Sequence, residues 1–80
     1  MKNKRKIIKE HFALILQINK EDVDYNSTPG TINSWDSLNH LNLIASFEDE
    51  FLIDIEPEEI AEMMIDYQNF EKIILDKIEK

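Results

Sequence analysis

The sequence predicts an all-α domain, a four-helix bundle with a long loop after helix 1 and a short third helix. Apolar residues recur at helical spacing in three longer segments, at about 2–18, 37–51 and 67–78. A shorter apolar pattern follows Pro57, and the stretch 19–34 has no periodicity. Eighty residues are enough for one small core, so we expect a single domain, 1–80.

The first predicted helix, at about 2–18, is amphipathic. Five of the nine basic residues lie between Met1 and Lys9. We interpret them as the solvated side of this helix rather than as an attachment site for RNA or membrane. His11 lies beside the apolar face and has no second metal ligand at a useful spacing. The apolar face consists of Ile7, Ile8, Phe12, Ile15, Leu16 and Ile18.

The loop predicted at 19–34 is long for a compact domain, which indicates a functional or specifically packed segment. Its apolar residues Val23, Tyr25 and Ile32 are expected to anchor it to the core.

Part of this loop resembles the opening of an EF-hand calcium site, with acidic or amide side chains at Asp22, Asp24 and Asn26. Ser27 stands where that site needs Gly for its sharp turn, and Asn33 stands where it needs a bidentate Glu. We therefore expect solvated acids and no metal site.

The second predicted helix begins at a capped serine. Asp36 can accept hydrogen bonds from the first free N–H groups, which places Ser37 at the first helical position. A serine hydroxyl there suits a phosphoester, because free N–H groups and the helix dipole stabilise phosphate oxygens. Simple capping explains the same two residues on spacing alone. The acids Glu48, Asp49 and Glu50 lie late in the helix, where the dipole disfavours them, and indicate a surface with another use.

The apolar residues of this helix fall into two sectors at about 100° per residue. One sector is expected to face the core and contains Leu43, Ile44, Phe47 and Phe51. The other is expected to form a docking surface for partner proteins and contains Leu38, Leu41 and Ala45, with Glu48 and Asp49 at its rim. The alternative is that the whole wide stripe is core.

The remainder of the chain is expected to form an extended link and two helices. Ile53 and Ile55 alternate with acids in the link. Pro57 favours a helix start, and Asp66 can cap a last helix at about 67–78. The residues expected to face inward on these two helices are Ile60, Met63, Met64, Phe70, Ile73, Ile74 and Ile78.

The composition and net charge of the chain argue against several classes of function. The chain has no Cys, no apolar run of membrane-spanning length and a net charge of -8. From Glu10 onward, four basic residues stand against all 17 acidic residues. Such a body repels nucleic acid and suits basic protein partners. We expect a cytoplasmic monomer with no nucleic acid partner and no stable membrane insertion.

The string Trp35-Asp36-Ser37-Leu38, the apolar helix behind it and the ending Phe-Glu-Asp-Glu-Phe at 47–51 resemble the acyl carrier protein family around its prosthetic-group serine. Alone, the tripeptide Asp-Ser-Leu is weak evidence for this family. It becomes specific evidence when it is combined with this helix and this chain length. The resemblance covers nearly the whole chain and is diffuse before about Thr31. It implies that Ser37 carries 4′-phosphopantetheine, attached by a separate phosphopantetheinyl transferase whose recognition Asp36 would assist.

The resemblance also implies a protein that catalyses nothing itself. The arm on Ser37 would carry acyl groups as thioesters between an acyl-loading ligase or synthase and acyl-transferring enzymes. Fatty-acid-synthesis carriers commonly have acids soon after the serine, where this chain has Asn39, His40 and Asn42. A role in a dedicated pathway, for a specialised lipid, a polyketide, or an acyl or aminoacyl modification, is therefore at least as compatible with the sequence as housekeeping fatty acid synthesis.

Two other functions remain open on the sequence. Ser37, His40 and Asp36 are the residue types of a Ser-His-Asp hydrolase, although 80 residues leave little room for an oxyanion hole and a closed pocket. We expect His40 to be exposed near Ser37 or packed at the rim of the core. The chain could also be an unmodified helical adaptor that binds basic partner proteins through its acidic second helix.

Overall fold

The computed structural model describes residues 3–79, and within this range the protein is all-helical. The fold confirms the predicted four-helix architecture with a long first loop and a short third helix. The predicted beginning of the first helix at Lys2 lies outside the described residues. The elements are α1 (Lys4–Leu16), a 3₁₀ turn (Lys20–Asp22), α2 (Ser37–Phe51), α3 (Pro57–Met63) and α4 (Tyr67–Ile78).

Local chemistry at the ends explains the bounds of α1 and α2. Asn3 caps α1 by accepting a hydrogen bond from the N–H of Arg5 at 2.9 Å. Both helices end on a left-handed residue, Gln17 at φ 59° and Leu52 at φ 55°. The N–H of the following residue then donates to a carbonyl five positions back, as Ile18 does to Ala13 at 3.0 Å. The ends are therefore satisfied without glycine.

The loop between α1 and α2 is specifically packed rather than structureless. Val23 and Ile32 are buried, as expected. Ser27 is also buried, and its carbonyl accepts a hydrogen bond from the N–H of Tyr67, the first residue of α4, at 2.8 Å. Tyr25 also ties the loop to the core, although the residue is 46% exposed: its ring stacks on that of buried Tyr67 at 6.3 Å, and its hydroxyl donates to Glu71 on α4 at 3.0 Å.

Aromatic side chains connect the elements at the centre of the core. The ring of Phe12 on α1 meets the rings of Trp35, Tyr67 and Phe70 edge-on, at centroid separations of 4.9 to 5.0 Å. Phe70 also meets Phe47 of α2 at 5.1 Å. The loop, α1, α2 and α4 therefore share one cluster, and Trp35 fixes the chain immediately before α2.

Candidate functional site

The N-terminus of α2 presents Ser37 to solvent. The backbone of Asp36 is extended, and its Oδ1 accepts a hydrogen bond from the N–H of Asn39 at 2.8 Å, which confirms the predicted cap. Ser37 is exposed at the first helical position, and its hydroxyl makes no hydrogen bond to the described residues. Within the same range, the N–H groups of Ser37 and Leu38 have no protein acceptor. One unbonded hydroxyl therefore lies beside two unbonded donors.

The segment that leads into α2 is held by side-chain hydrogen bonds from α2 and by the burial of Trp35. The side-chain amide of Asn39 donates to the carbonyl of Ser34 at 2.8 Å, and that of Asn42 donates to the amide oxygen of Asn39 at 3.2 Å. Trp35, between the loop and the helix, is only 1% exposed. Ser37 therefore projects from a segment whose position is fixed by its neighbours.

His40 contradicts the sequence-based expectation, because the structure buries it. Its Nδ1 accepts a hydrogen bond from the indole N–H of Trp35 at 3.0 Å, and its Nε2 donates to the carbonyl of Ile60 in α3 at 2.7 Å. Burial lowers the pKa of His40, and the hydrogen bond to Ile60 opposes this shift. The neutral ring thus connects α2 to α3. Helical periodicity could not reveal these partners, since one is a loop residue and the other is the carbonyl of a residue in α3.

A Ser-His-Asp triad is not assembled in this conformation. Both nitrogens of His40 are bonded to groups other than Ser37. The Oδ1 of Asp36 bonds the backbone of α2 rather than the imidazole. The hydrolase alternative therefore lacks the contact between nucleophile and base on which its chemistry depends.

The two sectors of α2 separate as expected. Leu43, Ile44 and Phe47 are buried, and Phe51 is partly buried. Leu38 is 71% exposed and Leu41 is 57% exposed. The interpretation of the whole stripe as core is therefore wrong.

The exposed side of α2 forms one face next to Ser37, which we call the α2 face. Leu41, Ala45 and Glu48 follow Leu38 at steps of three or four residues, so they lie along one side of the helix. Its members are Leu38, Leu41, Ala45, Glu48 and Asp49.

The two acids of the α2 face differ in their surroundings. Asp49 is exposed. Glu48 is half-buried, and its Oε2 accepts a hydrogen bond from the N–H of Ile55 at 3.0 Å. Glu48 therefore holds the link between α2 and α3, a contact that the helical periodicity could not reveal.

No protein-family model matches this chain, and no curated protein sequence matches it. Among the described residues, no helix combines the length and the apolar character needed to cross a membrane. Across residues 3–79, no three His, Asp or Glu side chains form a group that could hold a metal ion.

Proposed function

We propose that this protein is an acyl carrier protein whose Ser37 carries 4′-phosphopantetheine. The observation that carries the proposal is the exposed, unbonded hydroxyl of Ser37 at the first position of α2, next to the exposed apolar side chains of Leu38 and Leu41. The similarity of this segment to the family's prosthetic-group serine supports the same conclusion, as does the four-helix fold.

The residues around Ser37 fit a phosphodiester. The unbonded N–H groups of Ser37 and Leu38 lie at the positive end of the α2 dipole, where negative phosphate oxygens are favoured. Asp36 keeps its carboxylate on the N–H of Asn39, which leaves the first two donors available. When attached, the arm supplies a terminal thiol that carries an acyl group as a thioester.

The α2 face would be the docking surface for the transferase and for the enzymes that load and unload the arm. Exposed apolar side chains bordered by acids suit partners with an apolar pocket and a basic rim. With a net charge of -8, the carrier would associate quickly and separate readily, with strong dependence on salt. The carrier itself would perform no catalysis.

The test is the intact mass of the protein before and after incubation with coenzyme A, Mg²⁺ and a broad-specificity phosphopantetheinyl transferase. We expect a gain of one phosphopantetheine, absent in Ser37→Ala. Ser46→Ala is the matched control, since it also removes a serine hydroxyl from α2. The Ser46 hydroxyl lies away from the start of the helix and contacts Nε2 of His11 at 2.7 Å. That variant should still be modified.

An unmodified adaptor is the second candidate, because the exposed apolar residues of the α2 face would also serve a protein that binds partners without an arm. Absence of a mass gain with several transferases, on protein whose circular dichroism shows folded helices, would reject the carrier proposal and favour the adaptor. A gain of equal size in Ser37→Ala would place the modification elsewhere.

A further inference from the structure

Two helices of the fold, α2 and α4, begin with the same local pattern. The string at 36–39 is Asp-Ser-Leu-Asn, and the string at 66–69 is Asp-Tyr-Gln-Asn. In each string the aspartate caps the helix by accepting a hydrogen bond at 2.8 Å from the backbone N–H of the asparagine three residues ahead. The two helices therefore share one kind of cap, and a difference between their first residues has another cause.

The two helix starts differ in how the first helical residue is bonded. In α4, Tyr67 is buried, and its N–H donates to the carbonyl of Ser27 in the first loop at 2.8 Å. In α2, Ser37 is exposed, and its N–H has no acceptor among residues 3–79. The first residue of α4 thus attaches the helix to the loop, whereas Ser37 is left free of this structural task.

Asn39 provides the corresponding attachment for α2. Its side-chain amide donates to the carbonyl of Ser34, in the segment that leads into the helix, at 2.8 Å. The amide of Asn42 donates to Oδ1 of Asn39 at 3.2 Å, which orients the nitrogen of Asn39 toward Ser34. Asn69 occupies the same position in α4, and its side chain makes no such bond to the described residues. Of the two helices, α2 alone is attached through the side chain of its third residue.

The bond to Ser34 also bears on the free N–H groups of α2. If the helix began one turn earlier, the carbonyl of Ser34 would accept from the N–H of Leu38, four residues ahead. The carbonyl accepts from the side chain of Asn39 instead, and the N–H of Leu38 has no protein acceptor within residues 3–79. Asn39 therefore satisfies the carbonyl before the helix, while the donors of Ser37 and Leu38 stay free for another group.

We propose that Asn39 is a positioning residue for the modification of Ser37. Its side chain fixes the segment before α2, so that the Ser37 hydroxyl and the two free N–H groups are held together at the exposed start of the helix. This inference rests on the proposed function, because it concerns the same transfer of 4′-phosphopantetheine.

The chemistry of that transfer explains why position matters. The Ser37 oxygen forms a bond to the pantetheine-bearing phosphorus of coenzyme A. The bond from that phosphorus to the bridging pyrophosphate oxygen breaks, its electron pair leaves with 3′,5′-adenosine diphosphate, and the hydroxyl proton passes to a base of the transferase. Such a displacement depends on alignment of the attacking oxygen, and a misplacement of about 1 Å can cost about 100-fold in rate.

The first test examines the unmodified protein by ¹⁵N relaxation. Asn39→Ala should lower the order parameters of Asp36, Ser37 and Leu38 from about 0.85, the value of a rigid backbone, toward about 0.6. Asn69→Ala is the matched control, because it makes the same change at the same position of the other capped helix. It should leave these order parameters unchanged. Rigid residues 36–38 in Asn39→Ala, or an equal decrease in both variants, would overturn the positioning role.

The second test measures transferase kinetics with this protein as the varied substrate. Asn39→Ala should lower kcat about tenfold, because the attacking hydroxyl is less well aligned. It should leave KM unchanged, because the exposed side chains of Leu38 and Leu41 are retained. Asn69→Ala should change neither constant. A raised KM with unchanged kcat would make Asn39 a contact of the transferase and would reject the positioning role.

Wild-type protein in the same assay separates this proposal from the carrier proposal. If the wild type gains no mass with several transferases, the carrier proposal fails and the role of Asn39 in modification fails with it. If the wild type is modified and Asn39→Ala is modified equally fast, the carrier proposal stands and the role of Asn39 is rejected. Both asparagines are half-exposed, so we expect both variants to keep a helical circular dichroism spectrum.

Discussion

Trp35 and His40 are joined by a hydrogen bond of 3.0 Å inside the core, with the indole N–H donating to Nδ1 of the imidazole. The other ring nitrogen donates to the carbonyl of Ile60 at 2.7 Å. Because Nδ1 must remain unprotonated to accept, this arrangement requires neutral His40. The loop before α2, the helix α2 and the helix α3 are therefore connected through one uncharged ring.

This geometry predicts an acid-sensitive fold. Burial holds the pKa of His40 below its ordinary value of 6.5, so the unfolded chain takes up the proton first as the pH falls. The stability contributed by His40 is therefore complete above pH 6.5 and is lost as the pH falls toward its folded pKa. Urea unfolding from pH 8 to pH 5 measures it. His40→Gln should remove most of this dependence, whereas His11→Gln should retain it.

Asp36 and Asp66 form a matched pair of helix caps, each accepting from the N–H three residues ahead at 2.8 Å. Replacing either by Ala should lower the free energy of unfolding by about 1 kcal/mol. Only Asp36→Ala should also slow the proposed modification of Ser37, as measured by the rate of mass gain. Equal modification rates in the two variants would limit Asp36 to its capping role.

Leu41 and Leu43 test the separation of the α2 face from the core and the proposed docking role of that face. Leu43 is fully buried, so Leu43→Ala should cost about 2–5 kcal/mol of stability. Leu41→Ala should change stability by no more than about 0.5 kcal/mol, because its side chain is 57% exposed, and should slow modification by the transferase. Unfolding of Leu41→Ala, with normal modification of the folded fraction, would contradict the docking role.

Tyr67→Phe should stabilise the protein. The Tyr67 hydroxyl is buried and makes no hydrogen bond of standard geometry to residues 3–79, and burial together with the neighbouring Glu71 carboxylate raises its pKa above the usual range, so it stays protonated. Removing this unsatisfied group should increase the free energy of unfolding by about 1 kcal/mol, as measured in urea. A loss of stability of similar size would show that the hydroxyl has a partner in solution.

Two ion pairs of α1 should contribute unequally to the stability of the fold. Arg5 pairs with buried Glu71 at 2.7 Å, whereas Lys4 pairs with exposed Glu79 at 3.7 Å. Arg5→Gln should lower the melting temperature more than Lys4→Gln, because removing the partner of a buried carboxylate costs more than removing that of a hydrated one. Equal melting temperatures would mean that Tyr25 alone satisfies Glu71.

Helical periodicity and capping residues were sufficient to predict the main elements. The bounds of α2 and α4 agree with the caps at Asp36 and Asp66, since these signals are local in sequence. The exposure of Leu38 and Leu41 followed from their angular position on α2. The position of Ser37 at the start of α2 followed from the cap, whereas its selection as a modification site came from the resemblance of the surrounding string.

Contacts between distant segments could not be predicted in this way. Glu71 is buried because Arg5 and Tyr25 meet it from 66 and 46 residues away. His40 is buried because Trp35 and Ile60 supply both of its hydrogen bonds. Polar residues at such positions have the sequence pattern of surface residues until their partners are known.

Buried Trp35 is an intrinsic fluorescent probe of the protein. It is the single tryptophan of the chain, so all indole fluorescence comes from one position. That position is two residues from Ser37 and in contact with His40. Changes in emission wavelength or lifetime would therefore report events at the start of α2, including the proposed attachment of 4′-phosphopantetheine to Ser37, without an added label.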